Sequence, residues 1–113
     1  MTEDEFRALA LAFPDAVEGF NMSSVFFKVN GKDLARILGG DRAMLTGVPM
    51  EEIEMLLEAE PQTFWADNHY KGAKCVVAHL APFTAEHARP FLERRFRQIA
   101  KKAAVKAWEA GSA

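Results

Sequence analysis

The chain has 113 residues, half of them hydrophobic and nine of them Phe, which is enough for one domain built on one core. Its net charge of -2 hides an asymmetry: residues 1–67 carry five Lys/Arg against thirteen Asp/Glu, a net of -8, and residues 68–113 carry nine against three, a net of +6. The two parts either neutralise each other or leave a basic surface for a partner, while a single cysteine, Cys75, excludes a disulfide framework and fits a reducing, cytoplasmic setting.

The opening Thr2-Glu3-Asp4-Glu5 reads as no secretory signal, and no apolar run approaches the roughly 20 residues that span a bilayer, so no membrane partner is expected. Thr2 with Glu5 three residues on is a capping box, and Phe6, Leu9, Ala10 and Phe13 then recur on one helical face, which predicts a helix over 2–12 ended by Pro14. FPDAVEGFNMSS follows as a connection. Its Asp15/Glu18 pair lacks a His or a third acid, so a solvated loop is the reading rather than a cation site.

VFFKV, Asn30-Gly31 and KDLARIL predict a hairpin, because Asn-Gly tolerates the positive φ of a type I′ turn. On strand 24–29, Phe26 should oppose Val25, Phe27 and Val29; on strand 32–38, Leu34, Arg36 and Leu38 should oppose Ala35 and Ile37. After Gly39-Gly40-Asp41 a third strand is expected at 42–46, completing an antiparallel meander. Pro49 and the acids Glu51, Glu52 and Glu54 open a second helix with Ile53, Leu56 and Leu57 on its apolar face, stopping before Pro61. A short strand at 63–66, a turn at Asp67-Asn68 and an interior strand at 74–80 come next. Thr84 can cap a last helix with Leu92, Phe96, Ile99 and Ala103 as its stripe, although Pro90 predicts a start near Arg89 or a kink there. The order is α-βββ-α-ββ-α: an α+β domain over 1–110 with one antiparallel sheet, helices against it, and a frayed tail at 111–113.

The pieces FPDAVEG, FFKVNGK with the later Ala35-Arg36, the HYKG segment, the apolar strand after it and the closing IAKK together resemble the MmcQ/YjbR family of small bacterial proteins, over roughly Phe6 to Lys102. The resemblance implies a two-layer α-β(3)-α-β(2)-α fold, similar in outline to type III secretion chaperones. It also implies a protein often labelled DNA-binding, with no catalytic residues to carry over. Such proteins commonly place a Trp after the HY-x-G turn, where this chain has Cys75 or a neighbour.

Two candidate sites emerge. His69 and Tyr70, in a polar turn, could orient a ligand or serve in acid–base chemistry, or simply fix the turn. Arg94, Arg97, Lys101 and Lys102 on the last helix could meet phosphates of DNA, with Arg94, Arg97, Lys101 and Trp108 falling opposite the apolar stripe. Cys75 and His79 share a strand face but fall short of a zinc site, and read as core or half-buried strand residues. No spacing calls for a metal, a cofactor or a nucleophilic triad. The expected function is a non-enzymatic binding module. Its surface is the sheet or the basic helix, and its partner is a nucleic acid or a protein. The alternatives are a self-associating structural protein and a small-ligand binder or enzyme at the His69/Tyr70 turn.

Overall fold

A computed structural model describes residues 1–66 and 74–112. The predicted capping box forms, with the Glu5 N–H donating to Thr2 Oγ1 at 3.1 Å and the Thr2 N–H to Glu5 Oε1 at 2.9 Å, and it opens α1, Glu3–Leu11. Phe6 and Ala10 of α1 are buried.

Among the described residues six strands build one antiparallel sheet: β1 (Val17–Phe20), β2 (Ser24–Val29), β3 (Lys32–Leu38), β4 (Arg42–Thr46), β5 (Phe64–Trp65) and β6 (Cys75–His79), in the order β1-β2-β3-β4-β6-β5. The α+β class stands as expected, with two additions. The stretch read as a connection contains β1, because Asn21 closes a tight turn behind it. Asn21 Oδ1 accepts from the N–H groups of Ser23 and Ser24, both at 3.0 Å, and the Asn21 N–H donates to the Ser24 carbonyl at 3.0 Å. The hairpin at Asn30-Gly31 forms with φ of 54° and 76° at the two positions. Phe26 opposes Phe27 and Val29 as expected, but Leu34 does not share the face of Arg36. The ladder slips between Phe27 and Lys28, and this bulge turns Leu34 into the core at 1 % exposure.

The second helix is α2, Met50–Ala59, with Pro49 at its N-cap. The last helix is two helices. Thr84 caps α3, Ala85–Ile99, by accepting from the His87 N–H at 3.1 Å, so the helix starts ahead of Pro90 rather than at Arg89. Pro90 is exposed, and water can satisfy the carbonyl it leaves unpaired. At Ala100 the backbone turns extended, with ψ of 156°, and α4, Lys102–Ser112, sets off in a new direction. Asn30 Nδ2 holds the end of α3 by donating to the Ile99 carbonyl at 3.1 Å. The turn returns Ala104, Val105 and Trp108 to the core, where Trp108 lies 5.6 Å from Phe13 and 5.3 Å from Phe96, ring centre to ring centre. Ala103, expected on the apolar stripe, is exposed.

The helices and the aromatic core sit on one face of the sheet. Phe27, Ala35, Ile37, Ala43, Leu45, Phe64, Val76 and Ala78 point into it, meeting Phe6, Phe83, Phe91, Leu92 and Phe96. Each fully buried Phe contributes roughly 1.5–3 kcal/mol of transfer free energy. The opposite face of the sheet is where the functional question lies.

Candidate functional site

Side chains alternate across a strand, so the register fixes which residues share the face turned from the helices. One row crosses all six strands: Gly19, Phe26, Arg36, Met44, Val77 and Trp65, of which Met44 and Val77 are buried, Phe26 and Arg36 half-buried and Trp65 exposed. Ser24, Leu38, Arg42 and His79 form the row on one side of it. Val17, Lys28, Asp33, Thr46 and Cys75 line the other side. At about 4.8 Å per strand the central row is about 24 Å long.

Cations and rings interleave on this face. Lys28 Nζ lies 5.0 Å from the centre of the Phe26 ring, and the Arg42 guanidinium 5.8 Å from that of Trp65. Trp65 stacks on His79 at 6.4 Å with only 13° between the planes. Trp65 remains 40 % exposed, so its ring can still take a stacking partner. Gly19 makes the far end of the row possible. A side chain there would put its Cβ 2.3 Å from the Phe26 ring, so only glycine lets that ring lie across β1. The cations come from the acidic part of the chain: of its five Lys/Arg, Lys28, Arg36 and Arg42 all land on this face. One cation on each of β2, β3 and β4, eight and then six residues apart, was the signal available in the sequence, although net charge by segment concealed it.

At one corner the face runs into a pocket of about 630 Å³ lined by Asp33, Arg36, Thr46, Gly47, Lys74, Cys75, Arg95 and Gln98 among others. Arg36 holds Asp33 Oδ2 through Nε at 3.0 Å and Nη2 at 2.8 Å. Arg95 Nε donates to the Asp33 carbonyl at 2.8 Å, and Arg95 Nη1 to Gln98 Oε1 at 3.2 Å. Burial pulls the Arg95 pKa down, and the charge of Asp33 works the other way. Arg95 was not singled out from sequence, although a cation three residues after Leu92 and four before Ile99 sits at the margin of the apolar stripe. The Thr46 hydroxyl bridges the carbonyls of Asp33 and Leu34, both at 3.2 Å.

The residues expected from sequence to meet phosphates are placed differently. Arg94, Arg97, Lys101 and Trp108 do not share one face, because the chain turns at Ala100 and Trp108 packs inward. Arg94 makes a two-pronged bond to Glu52 at 3.0 and 2.6 Å. That bond lowers the Glu52 carboxyl pKa and raises that of the Arg94 guanidinium. Arg97 sits 4.7 Å over the Trp108 ring and 3.5 Å from Glu109. Lys101 and Lys102 are exposed at the turn. His69 and Tyr70, like the Asp67-Asn68 turn, lie outside the described residues. Cys75 and His79 are half-buried on the open face, as expected. Asp15 lies in the turn before β1 with φ of 63°, while Glu18 accepts from Arg7 Nε at 3.0 Å. Among the described residues no group of three His, Cys, Asp or Glu could hold a metal ion, and no helix is long and apolar enough to cross a membrane.

Neither a family model nor a curated protein matches the chain. Its fold is similar to the crystal structure of the Deinococcus radiodurans protein DR2400, a protein with a DUF419 domain. The TM-score is 0.73 at 24 % identity, over 90 % of this chain and 80 % of that one.

Proposed function

We propose that this chain is a non-enzymatic, cytoplasmic binding module that holds single-stranded nucleic acid on the open face of its sheet, and that it belongs with the MmcQ/YjbR proteins. The observation that carries the reading is the pair of cation–ring clusters on this face, Lys28 beside Phe26 at one end and Arg42 beside the exposed Trp65 at the other, with Arg36 between them. Proteins that bind single strands combine cations that follow the backbone with aromatic rings that stack on bases, and this face supplies both. The family reading is supported by the motifs from Phe6 to Lys102 and by a fold shared with a DUF419 protein, DUF419 being the MmcQ/YjbR-like family. The sheet is preferred to Arg94 and Arg97 of α3 because its Trp65 ring is exposed beside Arg42, whereas Trp108, the ring beside Arg97, packs against Phe13 and Phe96.

Fluorescence anisotropy with a labelled single-stranded oligonucleotide separates the two surfaces. Trp65→Ala should weaken binding by about 1–3 kcal/mol, the usual worth of one stacked base, whereas the Arg94→Ala/Arg97→Ala/Lys101→Ala variant should bind like the parent. The reverse pattern would return the site to α3, and no binding by the parent at low salt would end the nucleic-acid reading.

A second reading rests on the outer edge of β1. Val17 is 61 % exposed, Phe20 82 % and Met22 fully exposed beside a strand with no outer neighbour among the described residues. Such an edge favours pairing with a second copy. Sedimentation of the parent and of Phe20→Lys tests it: a dimer abolished by the substitution supports the pairing, and a monomeric parent dismisses it.

A further inference from the structure

The corner pocket differs from the rest of the open face in the charge it gathers. Arg36, Lys74 and Arg95 all line it, with Asp33 as the one carboxylate among the described lining residues, which gives these residues a net of +2. The three cations arrive from three elements that the fold fastens together there. Arg36 stands on β3, locked by its two bonds to Asp33 Oδ2. Lys74 stands just before β6, its carbonyl accepting from the Val48 N–H at 3.1 Å, which draws that backbone against the exit of β4. Arg95 comes from α3, and Gly47 gives it room: φ there is +71°, and an added Cβ would lie 2.1 Å from Gln98 Oε1 and 3.0 Å from Arg95 Cδ. Gln98 Nε2 in turn donates to the Gly47 carbonyl at 3.3 Å. Lys74 is exposed and forms no ion pair among the described residues. Arg95 Nη2 and Arg36 Nη1 engage no acceptor among them. Donors thus remain on all three cations.

We propose that this pocket seats a phosphate monoester. A monoester carries about -1.5 to -2 at neutral pH and offers three acceptor oxygens, whereas each internal phosphodiester of a strand carries only one negative charge. The net of +2 and the three sets of spare donors match the monoester. Forked guanidinium donors suit its geometry, with Lys74 as a mobile third charge. The pocket's 630 Å³ lies within the range of small-ligand sites. The monoester can come from two sources: the terminal phosphate of a strand lying on the sheet, which rests on the function proposed above, or a free mononucleotide, which does not.

Two titrations test this and tell the sources apart. The first compares a single-stranded oligonucleotide ending in a 5′-phosphate with the same strand ending in a 5′-hydroxyl. The second follows adenosine monophosphate binding by calorimetry, against adenosine as control. A five- to twenty-fold preference for the phosphorylated strand, or binding of the mononucleotide but not of the nucleoside, is the expected result. Lys74→Gln should reduce either signal by about tenfold, as loss of one charge-assisted contact would. It leaves the fold intact because the side chain is exposed. Arg95→Gln should abolish the signal, and Lys74→Gln keeps the test decisive if that variant fails to fold. Both signals should weaken between pH 7.5 and 5 as the phosphate takes up its second proton, with a midpoint near 6. Equal binding of the two strands together with no binding of the mononucleotide overturns the pocket. In that case binding of the hydroxyl-ended strand still judges the sheet face by itself.

Discussion

A methyl group added at Gly19 would lie 2.3 and 2.5 Å from two carbons of the Phe26 ring, well inside contact distance. Either the ring leaves its place across β1 or the edge strand moves outward. Alanine ordinarily suits a strand better than glycine does, so the clash decides the sign. Gly19→Ala should destabilise the protein by about 1–3 kcal/mol, the usual cost of overpacking. Urea denaturation measures it, and a double-mutant cycle assigns it. In a Phe26→Ala background the same substitution should cost nothing or become mildly stabilising. An unchanged cost in that background would place the strain in the backbone of β1 and not beneath the ring. The same ring carries Lys28 at 5.0 Å, so Gly19 also positions one end of the cationic row.

Among the elements, α2 and α3 are tied by Glu52 and Arg94, whose side chains are 30 % and 37 % exposed. Solvent screening at that exposure limits the pair to about 0.5–1 kcal/mol. Arg94 holds the Glu52 carboxyl below its ordinary pKa of 4.5, so the contribution is complete above that value and is lost as pH falls through the lower folded-state pKa. The stability gap between the parent and Glu52→Gln should therefore be constant from pH 8 to about 5 and close at more acidic pH, as read from denaturation midpoints at each pH. A gap that widened on acidification would contradict the assignment. Elements carrying their own local chemistry were legible in the sequence. The Thr2/Glu5 box satisfies adjacent backbone N–H groups, Asn30-Gly31 adopts the positive φ of its turn, and Glu51 and Glu52 sit at the positive end of the α2 dipole, so a short window announces each. Two features were not. β1 is an exposed edge strand with a glycine in it, and it exists because β2 offers a free edge, while Gly19 accommodates a ring seven residues away. The turn at Ala100 has neither Gly nor Pro to announce it. It follows from what Val105 and Trp108 gain against Phe13 and Phe96, which no local pattern encodes. The open face shared this fate, because its cations become neighbours only through a six-strand register.

At the scale of the whole molecule, an isoelectric point near 5.9 argues, taken alone, against binding a polyanion. The placement of the charges answers this. The exposed acids Asp4, Glu5, Glu51, Glu54 and Glu58 ride on α1 and α2, on the side of the sheet away from Lys28, Arg36 and Arg42. The shortest dimension of the molecule is 24 Å, whereas the screening length at physiological salt is about 8 Å. A phosphate on the open face therefore feels the nearby cations and scarcely feels the acids behind the core. Below about 0.01 M salt the screening length reaches about 30 Å and the acids are felt again. This gives the salt dependence an unusual form. Each neutralised phosphate of a single strand contributes about -0.7 to the slope of log K against log salt. Lys28, Arg36, Arg42, Lys74 and Arg95 thus set a ceiling of about -3.5. Arg36 and Arg42 are partly committed to Asp33 and Asp41, which makes a slope near -2 the expectation between 0.05 and 0.2 M. Removing Lys28 or Lys74 as glutamine should flatten it by about 0.7 each. Towards 0.01 M the parent's plot should bend over instead of continuing to rise. Charge reversal of α2, with Glu51 and Glu54 as lysines, should straighten it without changing the slope at high salt. A plot that stayed linear to the lowest salt, or that responded to Arg94, Arg97 and Lys101 and not to Lys28, would mean that phosphates meet the molecule somewhere other than this face.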